Sequence, residues 1–366
     1  MKKNKAKIKL LISLIIIVFL FIAFSQLKSY LQKPPVVIET EPVQEIKTEP
    51  YIGKIYHIFF HSLIVYPKLA FSDKAPDHQG YRDYMVTRSE FYKILDQLYE
   101  RNFILINDRS LYSENSDGTI SKKILNLPVG KKPLIISLDD LNYYENQTGN
   151  GFANKFVLNE KGEVATVITT PEGETDVTQD GDVVPILNDY IKKHPDFSWH
   201  GAKGIIALTG FEGILGYRTN NVNSPTYIED TQKVKTIVRE LKATGWVFAS
   251  HSYSHQRPFR DDSISLDGLK KDTELWDREV RPLVGNTNIF VGPFGQVFKP
   301  YDERRNYLVS KGFKVLYGVG MDQFLGYYPD YIMMDRANID GIRLTENSPY
   351  LIDLFNTKEV IDIERF

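Results

Sequence analysis

From Tyr51 to the C-terminus, short β-branched or apolar runs alternate with stretches of helical periodicity, and no other feature restricts the fold of this chain as strongly. The strand candidates are Tyr56–Ser62, Phe103–Asn107, Pro133–Leu138, Gly204–Thr209, Trp246–Ser252, Ile289–Val291, Lys314–Gly318 and Tyr331–Met334. Strands buried on both faces read as continuous apolar runs, and intervening helices supply the crossovers, so these eight strands predict an α/β barrel. Thr87-Arg88-Ser89-Glu90 is a capping box opening a helix with Phe91, Ile94, Leu95 and Leu98 on one face and an end near Asn102. Further helices are expected over 230–244, with the stripe Val234, Ile237, Val238 and Leu241 and a stop at Gly245, and over 265–283 and 301–310. The alternation breaks over about 142–180, where Asn159-Glu160-Lys161-Gly162 reads as a hairpin turn between two strands. This insertion follows directly on a strand end, where barrel sites are built, and is expected to shape access to one.

Upstream, Lys2, Lys3, Lys5, Lys7 and Lys9 precede an apolar run from Leu10 to Phe24 broken only by Ser13. Cationic residues before an apolar span predict a signal-anchor over 1–27, with the lysines cytoplasmic and the rest of the chain outside. Cleavage near Ala23–Ser25 is the alternative, although Phe24 and Gln26 make a poor cleavage site. Residues 28–50, rich in Pro, Glu, Val and Thr, read as an extended linker, leaving 51–366 as the folded domain. A net charge of −2 over 366 residues gives no field for condensing on a phosphate backbone, so nucleic acid is not expected as a partner. The chain has no cysteine, which excludes disulfides, thiolate nucleophiles and Cys-ligated metals and leaves His, Asp and Glu as the strong ligands.

Two predicted strands end in such residues. The first closes on Asp139-Asp140; adjacent strand residues face opposite sides, so both carboxylates reach one site only where the strand curls off. The second runs into His251-Ser-Tyr-Ser-His255, whose imidazoles stand roughly 13 Å apart if extended and become neighbours only if the chain curls into a turn. Two imidazoles and a carboxylate with open positions suit a catalytic zinc or similar divalent ion. A third strand closes on Phe290-Val-Gly-Pro-Phe-Gly295, a turn able to aim a backbone N–H at a developing oxyanion. Of the aromatics, Tyr143, Tyr144 and Tyr253 are expected to be the first candidates for a sugar-facing surface.

Ser137-Leu-Asp-Asp140 resembles the Thr-Phe-Asp-Asp motif of the polysaccharide deacetylase (NodB-like) carbohydrate esterases, and His251-Ser-Tyr-Ser-His255 is similar to their His-Ser/Thr-x-x-His motif. Val291-Gly-Pro-Phe-Gly295 resembles their Arg-x-Pro-Tyr-Gly motif with two departures, and Phe60-His61-Ser62 the strand that opens many such domains. The resemblance implies a distorted (β/α)7-type barrel that removes acetyl groups from an N-acetylated glycan. It implies that Asp140, His251 and His255 hold one divalent metal ion, Zn or alternatively Co, Ni or Mn. Asp139 would be the general base, the Phe294 N–H would bind the oxyanion, and Pro293 and Gly295 would contact substrate. In place of the family's arginine stands Val291, for which Arg218 and Arg336 are the candidate substitutes as partner of Asp139. No histidine follows His255, so the leaving amine must take its proton from Asp139, from His61 or from another group. These expectations describe a single-pass enzyme of the bacterial cell membrane acting outside it on peptidoglycan or a poly-N-acetylglucosamine-like polymer. The alternative is a catalytically degenerate barrel that binds glycan or scaffolds the envelope.

Overall fold

A computed structural model describes residues 46–366 and, nearer the N-terminus, residues 18–19, 21–26 and 28, which are helical. The expected anchor (1–27) and linker (28–50) fall mostly outside the described residues, among which no helix is long and apolar enough to cross a membrane. One unit ends at Ile46 and another runs from Lys47 to Phe366; the second is described by itself. It begins before the expected residue 51, because Thr48–Pro50 is held in an antiparallel ladder with Asn126–Pro128.

All eight predicted strands form: β1 (Tyr56–Phe60), β2 (Phe103–Leu105), β3 (Lys132–Asp139), β7 (Ile205–Leu208), β8 (Val247–Ser250), β9 (Ile289–Val291), β10 (Val315–Val319) and β12 (Ile332–Asn338). Seven of them close a parallel ring in the order β1-β3-β7-β8-β9-β10-β12 and back to β1. The eighth shares an edge: β2 covers β3 only from Lys132 to Leu134, and β7 pairs with the same edge from Ser137 to Asp139. Because β2 is three residues long, the far half of β3 is free for β7, and the closed ring therefore has seven strands rather than eight.

Alternation along β3 separates two cores. Leu134, Ile136 and Leu138 face outward into the helical layer, whereas Ile135 joins Ala207, Ala249, Val291, Tyr317 and Met334 in the barrel interior. The same parity points Ser137 and Asp139 inward. In the helical layer, α1 (Arg88–Glu100) carries its complete capping box and buries Phe91, Ile94, Leu95 and Leu98. α2 (Val183–Lys193) was not anticipated, and α3 (Tyr227–Ala243) buries the expected Val234, Ile237, Val238 and Leu241. The helix expected over 265–283 stops as α4 (Leu266–Glu279) and restarts as a separate turn at Arg281, because Pro282 supplies no N–H and restricts the residue before it. α5 spans Glu303–Ser310.

The insertion is a three-stranded antiparallel sheet of β4 (Ala153–Leu158), β5 (Val164–Thr169) and β6 (Thr175–Thr178). Its first turn is the predicted one: Asn159 Oδ1 accepts from Lys161 N and Glu163 N, both at 2.9 Å, and Gly162 has φ +77. Phe156, Val164 and Ile168 merge with Val183, Ile186 and Val234, so the insertion is a packed part of the outer layer. A further short strand, β11 (Leu325–Tyr327), lies antiparallel to β12.

The C-terminus is clasped onto α1. Arg365 donates to buried Glu90 through Nε (2.5 Å) and Nη2 (2.6 Å), while Glu90 also accepts from Thr87 N and Asp362 N. Removing one partner of a buried ion pair strands the other charge, so Arg365→Ala is expected to lower the unfolding free energy by about 3–5 kcal/mol. Urea unfolding measures it, and a loss below about 1 kcal/mol, the value of an exposed pair, would show that the clasp contributes little.

Candidate active site

Three strand ends at the C-terminal mouth of the barrel bring the expected residues together. Asp139, the last residue of β3, points inward, and Asp140 reaches the same side because its φ is +57. Past β8 the chain curls as the His spacing required: Ser252 and His255 have φ of +58 and +46, and the rings of His251 and His255 lie 4.8 Å apart between centroids. Buried Asp272 on α4 holds this turn, accepting from Tyr253 N (2.7 Å), Ser254 N (3.0 Å) and the Ser254 hydroxyl. Nothing in the sequence marked Asp272, since an acidic residue on a helix reads as surface. With Phe294 (φ +55), four non-glycine residues of the mouth are left-handed, at a cost of about 1–3 kcal/mol each that the surrounding bonds must offset.

The donor set suits a cation. One ligand atom each from Asp140, His251 and His255 lies within 4.8 Å of the others. The His251 Nδ1–H donates to the Val291 carbonyl (2.9 Å), which leaves the Nε2 lone pair turned toward the cluster. Burial lowers the pKa of His251 against the pull of Asp139 and Asp140, favouring the neutral, ligating form. Asp140 Oδ1 accepts from the Tyr144 hydroxyl (2.6 Å), which also contacts Thr209 Oγ1 (2.8 Å), while Oδ2 lies 3.9 Å from His255 Nε2. That gap is too long for a hydrogen bond, so the lone pairs converge without satisfying one another.

Beside them, Asp139 meets Arg336 in a buried fork: Nη1 to Oδ1 at 2.7 Å and Nη2 to Oδ2 at 2.9 Å. Arg336 lies on β12, which runs past its predicted end and carries the guanidinium into the barrel. It also donates to Gly318 O and Ser137 Oγ and lies over the Phe59 ring at 4.3 Å. Burial by itself would raise the pKa of Asp139; the charge of Arg336, then of His251, overrides it and holds the carboxyl well below the usual range. Of the two candidate substitutes, Arg336 therefore occupies the role. Arg218 instead donates to the carbonyls of Glu212 and Tyr143 and lies 3.5 Å from Glu145, bracing a neighbouring loop. His57, unmarked by any motif, extends the network: its Nε2 lies 3.0 Å from Ser137 Oγ, and burial followed by the charge of Arg336 pushes its pKa well down. Only its inward strand parity signals it.

His61 Nδ1 lies 3.1 Å from the Tyr84 carbonyl, with the ring near both Asp139 and Asp140. With Nδ1–H donating to that carbonyl, Nε2 is left for another partner. The Phe294 N–H has no partner among the described residues, and the exposed ring packs on His255 at 4.3 Å. Pro293 is buried, and a Cβ on Gly295 would come within 2.7 Å of Val319, so both residues shape the turn.

Of the three tyrosines expected as sugar-facing candidates, Tyr144 bonds Asp140, and Tyr143 and Tyr253 are engaged elsewhere. Tyr143, with φ +54, turns into the core against Phe156 and donates to Asp182 Oδ2 (2.7 Å). Tyr253 lies over Gly210 and bonds Glu279 (2.5 Å), because Asp272 fixes its backbone in the turn. Exposed aromatics beside the site include Phe294, Tyr84, whose carbonyl holds His61, and Phe211, stacked on Tyr144 at 5.0 Å. An isolated Phe after a strand carries no signal that separates this position from packing.

No protein-family model matches this chain. Among solved structures, a Streptococcus pyogenes deacetylase, PplD, in complex with acetate is similar at 13% identity and a TM-score of 0.40, covering 81% of this chain and 98% of that one. Similarity this loose carries no inference about chemistry, which stands on the side chains described above.

Arg336→Met is expected to destabilise the fold by about 3–5 kcal/mol in urea unfolding, and Asp139→Asn in the same chain to recover much of it, since the pair rather than either charge is tolerated. Additive losses would show the two side chains to be independent. Asp182, buried and accepting from Tyr143, Val183 N and Leu63 N, has its pKa raised to about 6 by burial. A carboxyl whose folded pKa exceeds its unfolded value near 3.9 costs stability as pH rises between them, on the order of 2 kcal/mol. Asp182→Asn should remove that component of the stability change between pH 4 and 6; an unchanged slope would place it on other groups.

Proposed function

We propose that this chain is a metal-dependent N-deacetylase acting on an N-acetylated glycan at the bacterial cell surface, peptidoglycan or a poly-N-acetylglucosamine-like polymer. The observation that carries this reading is the convergence of Asp140, His251 and His255 beside a separately ionised Asp139. A divalent ion held by the first three, with zinc the expected ion, supplies Lewis acidity toward the acetyl carbonyl and lowers the pKa of water. Asp139, kept charged by Arg336, accepts the proton of the attacking water as general base. The Phe294 N–H donates to the oxyanion that develops at the carbonyl carbon. His61, with Nδ1 tied to Tyr84 O, is the group that protonates the departing amine from Nε2, in place of a late histidine. Acetate and a free amine leave. Phe211 and Phe294 supply the apolar faces on which sugar rings stack.

Support for turnover rather than glycan binding alone comes from Arg336. It meets the need for a cationic partner of Asp139, so one of the two departures from the family pattern has a physical substitute. The Lys-rich start and the apolar run of residues 10–24 support a membrane-anchored chain whose domain works outside the cell.

The protein is expected to release acetate from acetylated chito-oligosaccharides, to lose this with a chelator and to regain it with zinc. Asp139→Asn should lower kcat by about 10²–10⁴-fold with metal content unchanged, and His61→Gln should act on kcat more than KM. Elemental analysis and an acetate assay measure both. A metal-loaded protein that released no acetate from any acetylated glycan would leave the binding-only reading in its place.

A further inference from the structure

The folded unit begins with an antiparallel ladder, Thr48–Pro50 against Asn126–Pro128, whose two strands lead into the starts of β1 and β3. The ladder therefore lies at the strand-start end of the barrel, opposite the mouth that carries Asp140, His251 and His255. Its register, Thr48 facing Pro128 and Pro50 facing Asn126, is carried one step further by Tyr51 N, which donates to the Leu125 carbonyl (2.7 Å). Continued, that register sets Ile52 against Ile124. Leu125 and Leu127 join the barrel core, so alternation turns Ile124, Asn126 and Pro128 outward, together with Thr48, Pro50 and Ile52 opposite them. Ile52 is 95% exposed and Ile124 75% exposed. Exposed apolar side chains scattered singly are ordinary, but a cross-strand pair on a face of otherwise uncharged residues is an unpartnered apolar surface. Glu49, the one carboxylate of the ladder, is opposite Leu127 and so belongs to the other face.

Lysines flank the pair. Lys47 opens the unit, Lys54 follows Ile52 by two residues, and Lys122 and Lys123 directly precede Ile124. All four are exposed, and unlike Lys131, which meets Asp196 at 2.9 Å, none forms an ion pair among the described residues. Lys54 and Lys122 lie over the rings of Tyr56 (5.2 Å) and Tyr327 (5.6 Å), and Lys123 donates to the Arg109 carbonyl (3.1 Å), contacts that leave the positive charge in place. Apolar side chains ringed by cations suit the boundary of an anionic bilayer, whereas a second copy of the chain would bring lysines against lysines. We propose that this end of the domain docks on an anionic lipid surface, with Ile52 and Ile124 seated at the acyl boundary and Lys47, Lys54, Lys122 and Lys123 on lipid phosphates. Residues 28–46 alone separate Lys47 from the expected anchor, so docking is intramolecular and weak contacts suffice. It turns the mouth of the barrel away from the bilayer. The inference rests on the membrane-anchored reading above and not on the acetyl chemistry.

The chain has no cysteine, so Asn126→Cys on the outward face and Tyr301→Cys, in the exposed loop after β9 on the mouth side, each accept a single environment-sensitive fluorophore. The full-length chain is reconstituted in vesicles of phosphatidylcholine, alone or mixed equally with phosphatidylglycerol, that contain a nitroxide-labelled lipid. Flotation reads association and quenching reads docking. The probe at 126 should be blue-shifted and quenched with phosphatidylglycerol, much less so without it or in about 1 M salt, and the probe at 301 in neither lipid. Ile52→Ser combined with Ile124→Ser should abolish the quenching. Lys54→Gln and Lys122→Gln should each lower the ratio of docked to undocked domain about fivefold, the factor for one lysine at an anionic surface. A chain that floats with position 126 unquenched, quenching equal in both lipids, or quenching unmoved by these substitutions would overturn docking and leave the anchored reading standing; a chain that does not float would overturn both. A probe at 126 already shielded in detergent, in particles of twice the mass, would identify a second copy as the occupant in place of lipid.

Discussion

Asp139 and Arg336 face each other inside the barrel from strands that are not neighbours, each removed from water and each costly without the other. Their fork closes the polar end of an otherwise apolar lumen and ties Ser137 and His57 into one network. It also separates the roles of two adjacent carboxylates. Asp139 is committed to a guanidinium, whereas Asp140, one residue later and outside the strand, spends one oxygen on Tyr144 and leaves the other among imidazole lone pairs. Two identical side chains thus acquire different chemistry from their surroundings, as pairs of acids in active sites commonly do.

The cost of this arrangement appears in the backbone. Asp140, Ser252, His255 and Phe294 each adopt a conformation that side-chain-bearing residues avoid. They are held there by groups from other elements: Asp272 under the His251–His255 turn, the Val291 carbonyl on His251, and Tyr144 on Asp140. Side chains placed by such bonds are set in advance, which would lower the reorganisation needed to bind a cation.

The two ends of the barrel differ in kind. The C-terminal mouth gathers carboxylate and imidazole acceptors beside exposed aromatic faces. At the opposite end Asp277 holds Arg281 and Lys311 in ion pairs, beside the plug of Ile106, Leu111 and Tyr112. A parallel barrel separates such surfaces naturally, because its strand starts and strand ends lie on opposite faces.

Local pattern carried much of this. The apolar runs marked all eight strands, the capping box marked α1, and the two strand-end motifs named the residues that cluster, because each is written in contiguous residues with a fixed period or spacing. Contacts between distant segments left no such trace. That seven strands rather than eight close the ring followed from the short reach of β2 along β3. That Arg336 and not Arg218 meets Asp139 depended on β12 extending past its apolar stretch, and that Tyr143 is core while Phe211 faces outward depended on how the chain turns after β3. Sequence determines periodicity and the chemistry available; which side chains share a cavity is decided only when strands far apart in the chain are brought into register.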